Sequence, residues 1–209
     1  MKRENLEQKR IEDYSRIKTP EELLKFMDKN IQYGLKDEND RIYTWDMNEF
    51  QEACEKKWKF KSGIDIVKLG YGHCWDQAEI ERYWFKKHNF EFKTLFIFFD
   101  TDIAPFVCHT YLVYKDKKSE TWNWFEHADE ANKGIHRMNT LEDAILAQRE
   151  ASIKFNQSIG LPINDDTIRT IRIYEYNPPK IGCSNQEFLD NIFEHGKDIT
   201  PVITNYKKR

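Results

Sequence analysis

Gly70-Tyr71-Gly72-His73-Cys74-Trp75-Asp76-Gln77 is the stretch whose reading organises the rest of the chain. Gly70 and Gly72 allow a tight turn. From Cys74 to about His88, the apolar Ala78, Ile80 and Phe85, with Trp75, Tyr83 and Trp84, predict a helix buried over much of its girth. Cys74 then stands at the first residue of that helix. Backbone N–H groups pointing out of the helix end, and the positive end of its dipole, lower the pKa of a thiol there. The thiolate is the nucleophilic form. Asp76, in the same first turn, suits a helix N-terminus by its charge.

Upstream, Thr19-Pro20-Glu21-Glu22 is a capping signature and predicts a helix from Pro20 to about Asn30, with Leu23, Leu24, Phe26, Met27 and Ile31 as its apolar stripe. Residues 1–17, with Leu6, Ile11, Tyr14 and Ile17 at helical spacing, predict an N-terminal helix. Lys36 to Arg41 reads as a polar loop. Asp46-Met47-Asn48-Glu49 repeats the capping pattern and predicts a helix through Trp58, in which Cys54 is a small buried hydrophobe. Between Ser62 and Gly70 periodicity is weak.

Downstream the period changes. Phe90 to Asp100, Phe106 to Tyr114 and Glu120 to Glu126 are rich in aromatic and β-branched residues, which predicts antiparallel strands. A turn centred between Lys117 and Lys118 sets His109 directly opposite Glu126, Tyr111 opposite Trp124 and Val113 opposite Trp122, with opposed residues sharing a face. Asp100 and Asp102 flank a loop expected to bound a cleft, and strand alternation turns Cys108 away from His109 into the core. Asn132 to Ile135 reads as a turn, and Thr140 caps a helix to about Phe155. A loop runs from Asn156 to Asp166, Thr167 to Tyr176 is a strand, and Ser184-Asn185-Gln186-Glu187 caps a last helix to about His195.

A chain of 209 residues with six Trp, ten Tyr and fourteen Phe can bury a core without staples. Its 33% charged residues and mean hydropathy of −0.83 argue for a water-facing surface, and no window is apolar enough to span a membrane. A net charge of −3, with only short basic ends (Lys2-Arg3 and Lys207-Lys208-Arg209), offers nothing to nucleic acid. The cysteines at 54, 74, 108 and 183 are far apart and no apolar leader follows the start, so the expectation is a cytoplasmic protein with reduced thiols. No metal or other cofactor is expected: His73, Cys74, Cys108 and His109 lack ligand spacing, and strand neighbours diverge. Nothing in the sequence sets the oligomeric state.

Three residues thus offer a working constellation. Cys74 is the nucleophile, His109 the proton carrier and Glu126 the group that orients the imidazole. The Cys74 backbone N–H would supply one oxyanion donor. Upstream candidates for a second are Trp45, Tyr33 and Gln32, while Trp75 and Gln77 are candidates for contacting substrate.

The run YGHCWDQA at Tyr71 to Ala78 resembles the nucleophile segment of the transglutaminase-like superfamily, whose animal transglutaminases carry a similar Tyr-Gly-Gln-Cys-Trp run. His109, opening HTYLVY, stands where that family has its histidine. Glu126, in NWFEHA, stands where the family usually has Asp near the end of the next strand. The order and the separations of 35 and 17 residues fit that core, which the resemblance extends over about Glu49 to Ile135. More particularly, the text is similar to small bacterial and phage proteins of this superfamily. The resemblance implies a single α+β domain over 1–209 of papain/transglutaminase-like type. Its cysteine helix would pack on an antiparallel sheet, with a core at about 46–135, an N-terminal helical part at 1–45 and a C-terminal extension at about 140–209. It implies acyl transfer through a thioester on Cys74, as amide or peptide hydrolysis of a peptide or protein substrate. Glutamine–lysine crosslinking, or a catalytically inactive binding module using the same cleft, are the alternatives.

Overall fold

The computed structural model describes residues 2–99 and 107–200; the loop expected around Asp100 and Asp102 lies outside them. In chain order the elements are α1 (Lys2–Ser15), α2 (Pro20–Asn30), β1 (Leu35–Lys36), β2 (Ile42–Tyr43), α3 (Phe50–Lys57), α4 (Gly63–Leu69) and α5 (Cys74–Lys87). There follow β3 (Phe92–Phe99), β4 (Cys108–Lys115), β5 (Trp122–Glu126), β6 (Gly134–Met138), α6 (Leu141–Ser158), α7 (Asp165–Thr170), β7 (Ile171–Glu175), α8 (Asn185–His195) and β8 (Lys197–Asp198). The chain is α+β with an antiparallel sheet. Its contacts divide into one unit of Met1–His88 with Pro178–Asn191 and another of Asn89–Asn177 with Ile192–Arg209. Among the described residues no helix is long and apolar enough to cross a membrane.

The first unit is mainly helical. Thr19 Oγ1 accepts the Glu22 N–H at 3.2 Å, so α2 starts where the capping signature sets it. Tyr14 of α1 donates its hydroxyl to the Ile80 carbonyl of α5 at 2.9 Å, satisfying a buried phenol. Two expectations fail here. The helix expected from Asp46 begins at Phe50, because two successive turns, Met47 N–H to Thr44 O and Phe50 N–H to Met47 O, occupy the capping sequence. The weakly periodic stretch after Ser62 is α4, capped by Ser62 Oγ on the Asp65 N–H and closed by Gly70 in the left-handed region at φ +75°. Seven residues make too few turns for an apolar stripe to show.

The second unit holds a six-stranded antiparallel sheet in the order β6-β5-β4-β3-β7-β8. One face carries Leu95, Ile97, Phe99, Tyr111, Val113, Trp124, Ile171 and Ile173, and α6 covers it with Ala144, Ile145 and Leu146. The α6 start is a capping box: Thr140 Oγ1 accepts from Asp143 N–H and Asp143 Oδ2 from Thr140 N–H. Phe193 packs on Phe96, Phe98 and Tyr174. The turn expected at Asn132–Ile135 gives way to a 3-10 turn at Glu130–Asn132 and then β6, whose Gly134 pairs with Glu126. Gly134 reads locally as a breaker, and only its partner strand makes it an edge-strand start. The strand expected from Thr167 starts at Ile171, since Asn164 caps α7 through the Thr167 N–H. Residues after Gly160 add β7 and β8 beside β3.

The β4–β5 register also differs from expectation. Val113 faces Trp124 and Lys115 faces Trp122, so the offset is two residues and His109 is not directly opposite Glu126. The cause is the loop. Asp116 Oδ1 accepts the Lys118 and Ser119 N–H groups at 2.8 Å each, Glu120 takes φ +60°, and the Asp116 N–H closes on Thr121 O. The loop from Lys117 to Glu120 is centred between Lys118 and Ser119, one residue beyond the expected centre between Lys117 and Lys118. Because the slip is even, every side chain keeps its face.

Candidate active site

In the first unit, the backbone of Gln32 laces to the turn before Cys74: Gln32 N–H donates to Gly70 O at 2.9 Å and Gly72 N–H to Gln32 O at 3.1 Å. Gly72 has no tolerance for a larger residue, as a Cβ there would lie 2.6 Å from that of Asp76. His73 is the N-cap of α5 and its Nδ1 accepts the Trp75 N–H at 3.2 Å. Asp76 Oδ2 accepts the His73 N–H at 3.3 Å, and both Asp76 oxygens accept Trp58 Nε1–H at 3.0 Å. Cys74, first in the helix, is 8% exposed. Asp76 thus stabilises the helix start as its position predicts.

The other expected residues divide. Trp75 is core: its ring stacks on Phe188 at 4.4 Å and 12°. Gln77 is buried and its amide donates to Gly72 O at 2.8 Å, which ties the glycine turn to the helix. Tyr33 is half-buried against Phe50. Trp45 is 74% exposed. Of the upstream oxyanion candidates, Gln32 runs beside the Gly70–Gly72 turn, where the Gly34 N–H also reaches Gly72 O at 3.4 Å, and the Gln32 N–H is already committed to Gly70.

In the second unit, His109 and Glu126 meet. His109 Nε2 and Glu126 Oε2 are 2.9 Å apart, and the carboxylate, 2% exposed at its side chain, can only accept. Nε2 therefore carries a proton as donor to Glu126, and in the neutral tautomer of the ring Nδ1 is the basic nitrogen. Glu126 Oε2 also accepts Trp124 Nε1–H at 3.3 Å, and Oε1 accepts the Asp129 N–H at 2.9 Å. The register gives glutamate a reason. Continued one pair beyond Leu112–Phe125, it sets Glu126 opposite Tyr111, so His109 is a diagonal neighbour, and the extra methylene relative to Asp spans that longer separation.

Tyr111 lies parallel to the His109 ring, with centroids 6.4 Å apart, and its hydroxyl is buried without a hydrogen-bond partner among the described residues. Burial, and then the Glu126 carboxylate, push that phenol above the usual tyrosine range, so it stays protonated. Cys54 is pushed up to about 12, first by burial and then by Cys74, Asp76 and Glu55. It is inert at neutral pH. Cys108 is half-buried at the start of β4 instead of lying in the core. Among the described residues no three His, Cys, Asp or Glu side chains converge as metal ligands would.

Sequence reasoning missed His73, Trp58, Trp124 and the Asp129 N–H. His73 and Asp76 stand at N-cap and N3, a box-like spacing that carries a local signal. Trp58 is 18 residues from Asp76, and nothing local announces the pairing. Comparison with family models, with curated proteins and with solved structures returns no match.

Proposed function

We propose that the protein is a cysteine-dependent acyl-transfer enzyme of papain/transglutaminase-like type, hydrolysing an amide bond of a peptide or protein through a thioester on Cys74. The observation that carries the reading is the His109–Glu126 pair, a protonated Nε2 fixed by a buried carboxylate that has two further donors of its own. Such fixing makes Nδ1 the basic nitrogen of the neutral ring, the one that takes the thiol proton in this mechanism. The YGHCWDQA resemblance and the capped helix that begins at Cys74 support it from the other side.

In this reaction the thiol proton passes to His109 Nδ1 and the Cys74 sulfur bonds to the carbonyl carbon. The carbonyl electron pair moves to oxygen, where the Cys74 N–H, at the helix end, is a donor. As the C–N bond breaks, the imidazolium gives its proton to the leaving amine. A water then loses a proton to His109, its oxygen bonds to the acyl carbon, and the thiolate departs. An amine in place of that water would yield a crosslink from the same thioester.

The test is the rate of Cys74 alkylation by iodoacetamide against pH, followed on the Cys74 peptide by mass spectrometry. Rapid modification below pH 7, slowed in His109→Ala, is the expected result. Reaction only above about pH 8.5, the ordinary thiol value, sinks the reading.

A further inference from the structure

A closed ring of contacts surrounds the Glu126 carboxylate, and His136 takes part in it twice. Glu126 Oε1 accepts the Asp129 N–H at 2.9 Å, and Asp129 Oδ2 accepts the Asn132 side-chain amide at 2.7 Å. His136 Nε2 and the Asn132 carbonyl are 2.7 Å apart, and since a carbonyl only accepts, that nitrogen carries a proton. The His136 ring stacks on Trp124, with centroids 4.3 Å apart and planes at 23°. Trp124 Nε1–H then returns to Glu126 Oε2 at 3.3 Å.

The strand pairing lets one side chain reach both arms. β6 runs beside β5 so that His136 is opposite Trp124 and Gly134 opposite Glu126, and opposed residues share a face. Gly134 leaves the space next to the glutamate open. A Cβ there would lie 3.5 Å from His136 Nε2, so the half-buried imidazole leans along β6 over that glycine.

We propose that His136 is a positioning residue for the His109–Glu126 dyad. Its flat face orients the indole that donates to one glutamate oxygen, and its N–H, through Asn132, holds the turn whose Asp129 N–H serves the other. The inference rests on the reading of His109 as the proton carrier for Cys74. The physical reason is that a buried carboxylate with fixed further donors keeps one orientation, with Oε2 towards His109, whereas one that loses them can rotate. Imidazole supplies both the ring face and the edge N–H. Phenylalanine would supply the first alone, and alanine neither.

The experiment compares wild type, His136→Phe and His136→Ala. By 15N NMR it follows solvent exchange of the Trp124 indole N–H and of the Asp129 amide, and the tautomer of His109; Cys74 alkylation is timed at pH 6. In His136→Ala both N–H groups should exchange about fivefold faster, the effect of losing one ordinary hydrogen bond, while β3 amides keep their rates. His136→Phe should quicken only the Asp129 amide, because the stack on Trp124 remains. In His136→Ala the His109 ring should be held less strictly in its Nε2–H form, and Cys74 should alkylate about fivefold more slowly. Unchanged exchange at both groups, or an unchanged His109 tautomer despite faster exchange, overturns the inference and leaves the proposed function standing. A wild-type alkylation midpoint near pH 8.5, the ordinary thiol value of about 8.5, overturns the proposed function instead, and the exchange rates still decide whether His136 holds the glutamate. Should His136→Ala fail to fold, His136→Phe decides alone: an Asp129 amide as slow as in wild type overturns the inference.

Discussion

Glu126→Gln tests the dyad without touching Cys74. The glutamate is buried and accepts three donors: His109 Nε2 and Trp124 Nε1 on one oxygen, and the Asp129 N–H on the other. A glutamine offers one accepting oxygen and one donating amide. With the oxygen turned to His109 and Trp124, the amide faces the Asp129 N–H, donor against donor. With the oxygen turned to Asp129, the amide faces the Trp124 indole, and His109 can bond to it only by moving its proton to Nδ1. Either way one donor loses its acceptor, at about 1–3 kcal/mol, and the remaining bonds lose their charge assistance. The expected loss is about 2–3 kcal/mol in urea unfolding, with the far-ultraviolet spectrum retained. Ring 15N NMR should show His109 no longer held in its Nε2–H form. A variant within ~0.5 kcal/mol of wild type with the His109 tautomer unchanged would refute the reasoning, since ordinary surface substitutions fall in that range.

Three further outcomes follow from the geometry. Trp58→Phe keeps the aromatic contacts to Trp75 and Phe188 but removes the N–H that serves both Asp76 oxygens, so it should cost about 2 kcal/mol by chemical denaturation; an unchanged midpoint would mean that the indole N–H is dispensable. Gly72→Ala puts a methyl 2.6 Å from the Asp76 Cβ and should lower stability by about 1–3 kcal/mol, read as a drop in Tm, whereas wild-type stability would show the turn to be slack. Cys54 bears on pH. Its folded value of about 12 lies above the unfolded ~8.5, so its contribution is complete below pH ~8.5 and is lost as pH rises from there towards 12, by at most ~1.4 kcal/mol per unit. Wild-type stability should therefore fall more steeply than that of Cys54→Ala above pH 9, and parallel curves would contradict the burial argument.

Helix starts were legible wherever the capping chemistry is local. Thr19, Thr140 and Ser184 each accept from or pair with a residue three positions on, and α2, α6 and α8 begin beside them. The same pattern at Asp46 misled, because two backbone turns between Thr44 and Phe50 compete for those residues and their outcome depends on what the segment packs against. β6 was invisible for a related reason. Gly134 to Met138 has no buried face of its own, and only hydrogen bonding to β5 makes it a strand.

His109 and Glu126 divide the two kinds of information most clearly. Strand alternation has a period of two, so the sequence alone determined that both side chains lie on the face that carries Tyr111 and Trp124, and an even slip of register could not undo it. The offset itself, and with it the diagonal contact that a glutamate spans, was decided by a loop in which Asp116 gathers the Lys118 and Ser119 N–H groups. Around Cys74 the division is similar: the helix start and its Asp76 follow from neighbouring residues, while the Trp58 indole on that carboxylate comes from another helix's end. Chain neighbours constrain what lies within a turn or across a pleat; which distant group fills the remaining hydrogen-bonding capacity is settled only when the segments pack.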